Sequence, residues 1–260
     1  MDGNCQTMID YSGMIILQDS RQRSGQHDIK NRWFLEHGIM QNRTKLVCGD
    51  YQLPGDGSVV TDSKASISEV IGDVQVKQMA KRDILTEVQS VFAENKLPMP
   101  LSETAYHLIT DDDSERFAEQ EISNFCFRSQ IPENVLSKLQ DLYVKRHGFF
   151  HRGLLRAKHY GVKLYIVVEN VDGVKSMEDL FRWVNPRLKI MKRGQQIGWN
   201  RNGTPKYARV QKYPNAMRGE TLAKACITME KKYGCRFLFC EPEESAELIM
   251  QLLTRQKGDL

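Results

Sequence analysis

The sequence predicts an α/β fold with a central mixed sheet flanked by helices. Short apolar, β-branched runs alternate with amphipathic helical stretches along the whole chain. An early hairpin, "LVCGDYQLPGDGSVVTDSK" (residues 46–64), pairs two such runs antiparallel and so makes the sheet mixed. A third run, "LYIVV", is apolar at every position, as a strand covered on both faces must be.

Taken in order, "MIILQDSR" (Met14 to Arg21) reads as a buried strand with a polar end. "HDIKNRWFLEHGI" follows as a helix, with Ile29, Trp33 and Phe34 at helical spacing and Gly38 as its stop. The hairpin comes next, its turn centred near Asp56. "SISEVIGDVQ" opens another helix, with Ser66 or Ser68 as the N-cap. Residues 75–146 read as a helical insertion between the two parts of the core, residues 14–74 and 147–260. The insertion holds an amphipathic stripe (Ile84, Leu85, Val88, Phe92), the acid-led helix "DDDSERFAEQEISNFCF" and a helix beginning at Pro132. "GLLRAKHYGVKLYIVVEN" then supplies a helix, a glycine break and the buried strand Val162 to Val168, ending at Glu169. Two further helices ("SMEDLFRWV", "GETLAKACITMEKKYG"), a strand ("CRFLFCEP") and a closing helix ("ESAELIMQLLTRQ") complete one domain.

Composition narrows the function. At 260 residues, 40% hydrophobic and 27% charged, the chain can bury a sizeable core. No apolar stretch reaches the roughly 18 residues of a membrane span, and the first residues lack the pattern of a secretory signal. Cys5, Cys48, Cys126, Cys226, Cys235 and Cys240 form no CxxC, which argues against a zinc ribbon and for a reduced, cytoplasmic setting. Neither GxxxxGK[ST] nor GxSxG occurs, which disfavours nucleotide-driven motors and serine hydrolases. The net charge is +4, yet Leu180 to Gly219 holds no acid at all. Lys189, Lys192, Arg193, Arg201, Lys206, Arg209 and Lys212 lie there among Trp183, Trp199, Tyr207 and Tyr213. Cations interleaved with aromatic rings suit nucleic acid, although a merely solvated basic loop fits the same composition.

The hairpin concentrates chemistry. Folded about its turn, it sets Asp50 roughly opposite Asp62, and cross-strand neighbours on one face stand about 5 Å apart. Asp62 and Lys64 share a face because side chains alternate along a strand. Paired carboxylates beside a lysine suit a Mg²⁺ (or Mn²⁺) ion and phosphodiester hydrolysis. The same spacing also describes an exposed hairpin with a polar outer face.

"DSR" on the first strand, "GDY" in the hairpin's first arm and "DSK" in its second resemble the ERCC4-type nuclease domain, a branch of the PD-(D/E)xK superfamily. The likeness covers residues 14–74 and about 147–170, and extends to versions from bacteria and phages. It implies a restriction-endonuclease-like core and a metal-dependent DNA endonuclease, acting in DNA repair, recombination or phage DNA processing. It further implies Asp50, Asp62 and Asp19 around the metal, Lys64 at the attacking water and Arg21 on the scissile phosphate. "DSK" stands where the family has "ERK", so Asp62 replaces a Glu and Ser63 an Arg. The acid of the next helix would be Glu69, one residue late. No paired helix–hairpin–helix module is present, which leaves preference for branched DNA and homodimerisation open. The alternative is a catalytically inactive DNA-binding or scaffold protein on the same fold.

Two other features compete. His147 and His151 are four residues apart, but Gly148 and Gly153 argue against the helix that would align them on a zinc ion. Glu169 ends a buried strand, where an α/β sheet often presents functional groups and equally often a plain polar terminus.

Overall fold

Parallel and antiparallel pairings meet in one six-stranded sheet in the computed structural model, which describes residues 10–22, 28–75, 78–111 and 118–254. Its strands are β1 (Ile15–Asp19), β2 (Met40–Thr44), β3 (Tyr51–Leu53), β4 (Asp56–Lys64), β5 (Lys163–Glu169) and β8 (Arg236–Cys240). They stand in the order β2-β1-β3-β4-β5-β8. β3 runs antiparallel to both β1 and β4, and the remaining pairs are parallel. The expected mixed α/β sheet is therefore present. β6 (Met191–Trp199) and β7 (Pro205–Gln211) form a separate two-stranded ribbon.

Alternation along β5 explains how both faces are covered. Leu164, Ile166 and Val168 point to one side, where they meet Val60, α2 (Ile67–Val74) and α8 (Gly219–Tyr233). The second half of α6 (Glu133–His159) and α7 (Met177–Arg182) close the same core. Tyr165 and Val167 point to the other side, against α1 (Asp28–Glu36) and α9 (Ser245–Thr254). Within residues 75–146, α3 (Lys81–Glu94), α4 (Met99–Thr110), α5 (Ala118–Arg128) and the first half of α6 share a third core around Ile84, Phe92, Ile109 and Leu139.

The hairpin reaches its expected register by an unexpected route. Its turn is Pro54–Gly55, with Gly55 at φ +76°, and not one centred on Asp56. Proline followed by a left-handed glycine is the signature of a type II turn. Leu53 pairs with Asp56 but Tyr51 pairs with Thr61, so the ladder slips by three residues between them. Without the slip Asp50 would stand against Val59; with it, Asp50 stands against Asp62.

Other expectations are corrected. Ile29 is 50% exposed, and α1 instead buries Phe34 and Lys30. β2 is a strand that no apolar pattern marks, because every one of its side chains is exposed on a sheet edge. The basic stretch is an ordered ribbon and not a loop. α6 runs through Gly153 and leaves helical geometry only at Gly148 (φ 70°, ψ 169°), a conformation open to a residue without Cβ. Ser66, not Ser68, caps α2. Cys5 and the leading acids of the 112–117 stretch lie outside the described residues.

Ile166 is fully buried at the centre of β5, so Ile166→Ala should cost about 2–5 kcal/mol in chemical denaturation. A loss below about 1 kcal/mol would place it outside a packed core.

Candidate active site

Three backbone devices bring the carboxylates together. The register slip aligns Asp50 with Asp62, and the Asp50 amide donates to the Thr61 carbonyl at 2.7 Å. Gly49 makes the approach possible: it has φ +66°, and a Cβ there would lie 2.4 Å from Val60 Cγ1 and 2.8 Å from Thr61 O. The Asp19 amide donates to the Asp50 carbonyl at 2.9 Å, tying the end of β1 to the same point. Asp50 is then fixed by Ser63, whose amide and hydroxyl both donate to Oδ2, at 2.8 and 3.0 Å. Ser63 thus commits both of its donors to Asp50.

Asp62 and Lys64 leave β4 on one face, with Lys64 Nζ 3.2 Å from Asp62 Oδ2. The same ammonium lies 2.9 Å from Asp73 Oδ2 on α2 and 4.7 Å from the centre of the Phe150 ring. Burial, with the Asp50 carboxylate alongside, pushes the Asp62 carboxyl up to about 8 against the pull of Lys64. Burial alone would lower Lys64, but Asp62 and Asp73 more than reverse this and its net shift is upward. Lys64 is therefore held as an ammonium, suited to orienting water or stabilising charge and not to removing a proton. Burial also raises Glu69, opposed by the Ala65 amide, which donates to its carboxylate at 2.7 Å.

These groups line a cleft of about 460 Å³ between the end of β4, the start of α2 and the second half of α6. Asp50, Asp62, Lys64, Glu69, Asp19 and Arg21 all face it. Asp19 and Arg21 are present but committed to each other: Arg21 Nε donates to both Asp19 oxygens, at 3.0 and 2.8 Å, and one Nη to the Leu46 carbonyl at 2.9 Å. The two side chains pair with each other at the edge of the cleft, Arg21 remaining 35% exposed.

Asp73, which holds Lys64, and three cleft residues, Phe149, Phe150 and Arg156, escape a reading of the sequence. Asp73 was accessible to one, since it lies one helical turn beyond Glu69 on α2. The others come from α6, and nothing local ties them to the hairpin. His147 and His151 turn to separate partners: His147 Nε2 bonds the Ile109 carbonyl and His151 Nδ1 the Tyr233 hydroxyl. Glu169 forms a buried ion pair with Lys30. It shares a side with Tyr165 and Val167, across the sheet from Lys64. The described cysteines are buried and free, and burial keeps Cys48 protonated by raising its thiol to about 11.

Lys192, Arg193, Lys206 and Arg209 lie on the β6–β7 ribbon, with Lys189 just before it, Arg201 in its turn and Lys212 just after it. All of them are exposed. Arg193 lies over the Tyr207 ring at 3.2 Å and Lys212 over Tyr213 at 5.2 Å. At the base of the ribbon, Lys212 donates its amide to the Ile190 carbonyl, and buried Asn185 donates its side-chain amide to Met217 O.

The donor set fits a hard divalent cation. Two carboxylates in mutual contact repel unless a proton or a cation lies between them, and the raised Asp62 carboxyl reports that repulsion together with its burial. Among the described residues no three acidic, histidine or cysteine side chains gather as a cage. An ion here would take two protein oxygens and complete its shell with water and phosphate oxygens, the habit of Mg²⁺. Among the described residues no helix is long and apolar enough to cross a membrane. The chain matches no family model, no curated protein and no solved structure. Its function is therefore read from the side chains themselves.

Gly49→Ala should destabilise the protein by about 1–3 kcal/mol in chemical denaturation, because both φ and the Val60 contact forbid the methyl. Folding raises Asp62 from 3.8 to about 8, so between those pH values the folded chain binds more protons than the unfolded one. Stability of the metal-free protein should fall as pH rises through that window, and Asp62→Asn should remove that part of the slope. Thermal denaturation in EDTA across the window checks this; equal slopes for parent and variant would contradict it.

Proposed function

We propose that the protein is a metal-dependent DNA endonuclease that hydrolyses phosphodiester bonds, on a core of the PD-(D/E)xK type. The observation that carries this reading is the meeting of Asp50, Asp62 and Lys64 in one cleft. Their supports, Ser63 and Asp73, serve no evident purpose in folding alone. A divalent cation held by Asp50 and Asp62 would supply positive charge at the phosphate oxygens and a water of lowered pKa.

The chain's own groups account for the rest. In hydrolysis, water adds to phosphorus, one P–O bond to a sugar breaks, and the departing alkoxide takes a proton. Lys64 offers an ammonium beside the reacting centre, where it stabilises charge building on the phosphoryl oxygens. Asp73 keeps that ammonium aimed, and Ser63 keeps Asp50 aimed. Burial of the cleft strengthens each of these interactions relative to water.

Binding and chemistry would be divided. The β6–β7 ribbon projects cations and rings that suit a phosphate backbone. A scaffold role would rest on that ribbon alone.

Labelled duplex, single-stranded and branched DNA incubated with Mg²⁺, Mn²⁺ or EDTA tests the reading. Cleavage should require metal, and Lys64→Ala should lower it about a hundredfold or more while binding persists. Salt-sensitive binding with no cleavage of any substrate would contradict the enzyme and favour the scaffold. Replacing Lys192, Arg193 and Arg209 by Gln should weaken binding on all sequences and flatten the salt slope by about one for each phosphate no longer neutralised.

A further inference from the structure

Across the cleft from the two carboxylates, α6 contributes Phe149, Phe150, Gly153 and Arg156. Arg156 is half-buried there; the Glu119 carboxylate attracts it, while Arg21 and Arg152 repel it. Two of the three already have carboxylates: Arg21 is forked on Asp19, and Arg152 lies 3.6 Å from Glu119. Arg156 has no ion pair or side-chain hydrogen bond among the described residues, and its buried Nε lacks an acceptor. Of the cations lining the cleft, Lys64 is held by Asp62 and Asp73 and Arg21 by Asp19, so among the described residues Arg156 is the one whose guanidinium makes no ion pair or hydrogen bond. A buried donor left unpaired is costly, and a guanidinium fork matches two oxygens of a phosphodiester.

Phe149 lines the same cleft. It is 68% exposed, directly after the break in α6 at Gly148. Arg152 sits 5.9 Å from the ring centre. An exposed aromatic ring and, among the described residues, a guanidinium without a hydrogen bond, lining one cleft, match the two halves of a nucleotide, a base to stack on and a phosphate to grip.

We propose that this wall of the cleft binds one nucleotide of the substrate, Arg156 taking its phosphate and Phe149 stacking on its base. The inference rests on the nuclease reading for its choice of ligand. A base inside a duplex has no free face, so the stacked nucleotide is one without a paired strand.

The test is equilibrium binding of a fluorescent oligothymidylate and of a duplex of equal length, in Ca²⁺ and in EDTA. Parent, Arg156→Gln, Arg156→Lys and Phe149→Leu are compared, each checked for an unchanged melting temperature. Arg156→Gln should weaken single-strand binding about tenfold, and Arg156→Lys should recover part of it by keeping charge without the fork. Phe149→Leu should weaken the single strand about fivefold or more and leave the duplex unchanged. Parental affinity in Arg156→Gln on both ligands would overturn the phosphate grip. Equal effects of Phe149→Leu on both ligands, or none, would overturn the stacking. These readouts involve no cleavage, so a parent that binds in this pattern without cutting DNA would refute the nuclease and leave the nucleotide wall standing.

Discussion

Two carboxylates, Asp50 and Asp62, are held in contact in a cleft that excludes much of the surrounding water, and folding gains nothing from their proximity. Each device that sustains it is specific. The ladder slips by three residues to align them, Gly49 accepts a left-handed backbone against Val60 and Thr61, and Ser63 commits both its donors to Asp50. A sheet chosen for stability alone would have no reason to gather these features at one strand end. In the proposed reading a cation between the carboxylates would turn the repulsion into attraction, with the remaining groups of the cleft arranged around it. Lys64 supplies positive charge, Asp73 restrains it, and α6 closes the far side.

The two faces of the sheet divide the work. One carries the cleft, together with the core of α2, α7, α8 and the second half of α6. The other buries Lys30 against Glu169, between α1 and the end of β5. That pair lies among Tyr51 and other apolar side chains, where removing either partner would strand a charge in a medium of low dielectric. The ribbon of β6 and β7 pairs with neither face, and most of its cations stand in solvent. Substitutions on the ribbon should therefore leave the carboxylates undisturbed.

Much of this was legible in the sequence, though not always for the right reason. Strand alternation alone put Asp62 and Lys64 on one face. The pairing of Asp50 with Asp62 is what a turn centred on Asp56 would give, whereas the turn is Pro54–Gly55 and the bulge restores the register. A bulge depends on how β3 fits between β1 and β4, and no local signal announces it. β2 was invisible because an exposed edge strand needs no apolar residues. The ribbon hid for the same reason, since a strand pair largely in solvent carries no alternation of burial. A lysine on a short amphipathic helix gives no sign of burial, and only the position of Glu169 shows why Lys30 is inside. Arg156 and Phe149 reach the cleft through the long helix α6, whose approach to the hairpin is set by packing against β5 and α2. The ion pair between Asp19 and Arg21 was legible as well, since a carboxylate and an arginine two residues apart on a strand end can satisfy each other.

The central claim is that the Asp50–Asp62 pair is built for a cation, and direct titration of Mn²⁺ into the metal-free protein, followed by calorimetry or electron paramagnetic resonance, tests it most directly. The account predicts a saturable site that is lost in Asp50→Asn and in Asp62→Asn and that tightens as pH rises and the shared proton leaves. Equal binding by parent and both variants, or no binding at millimolar metal, would contradict it.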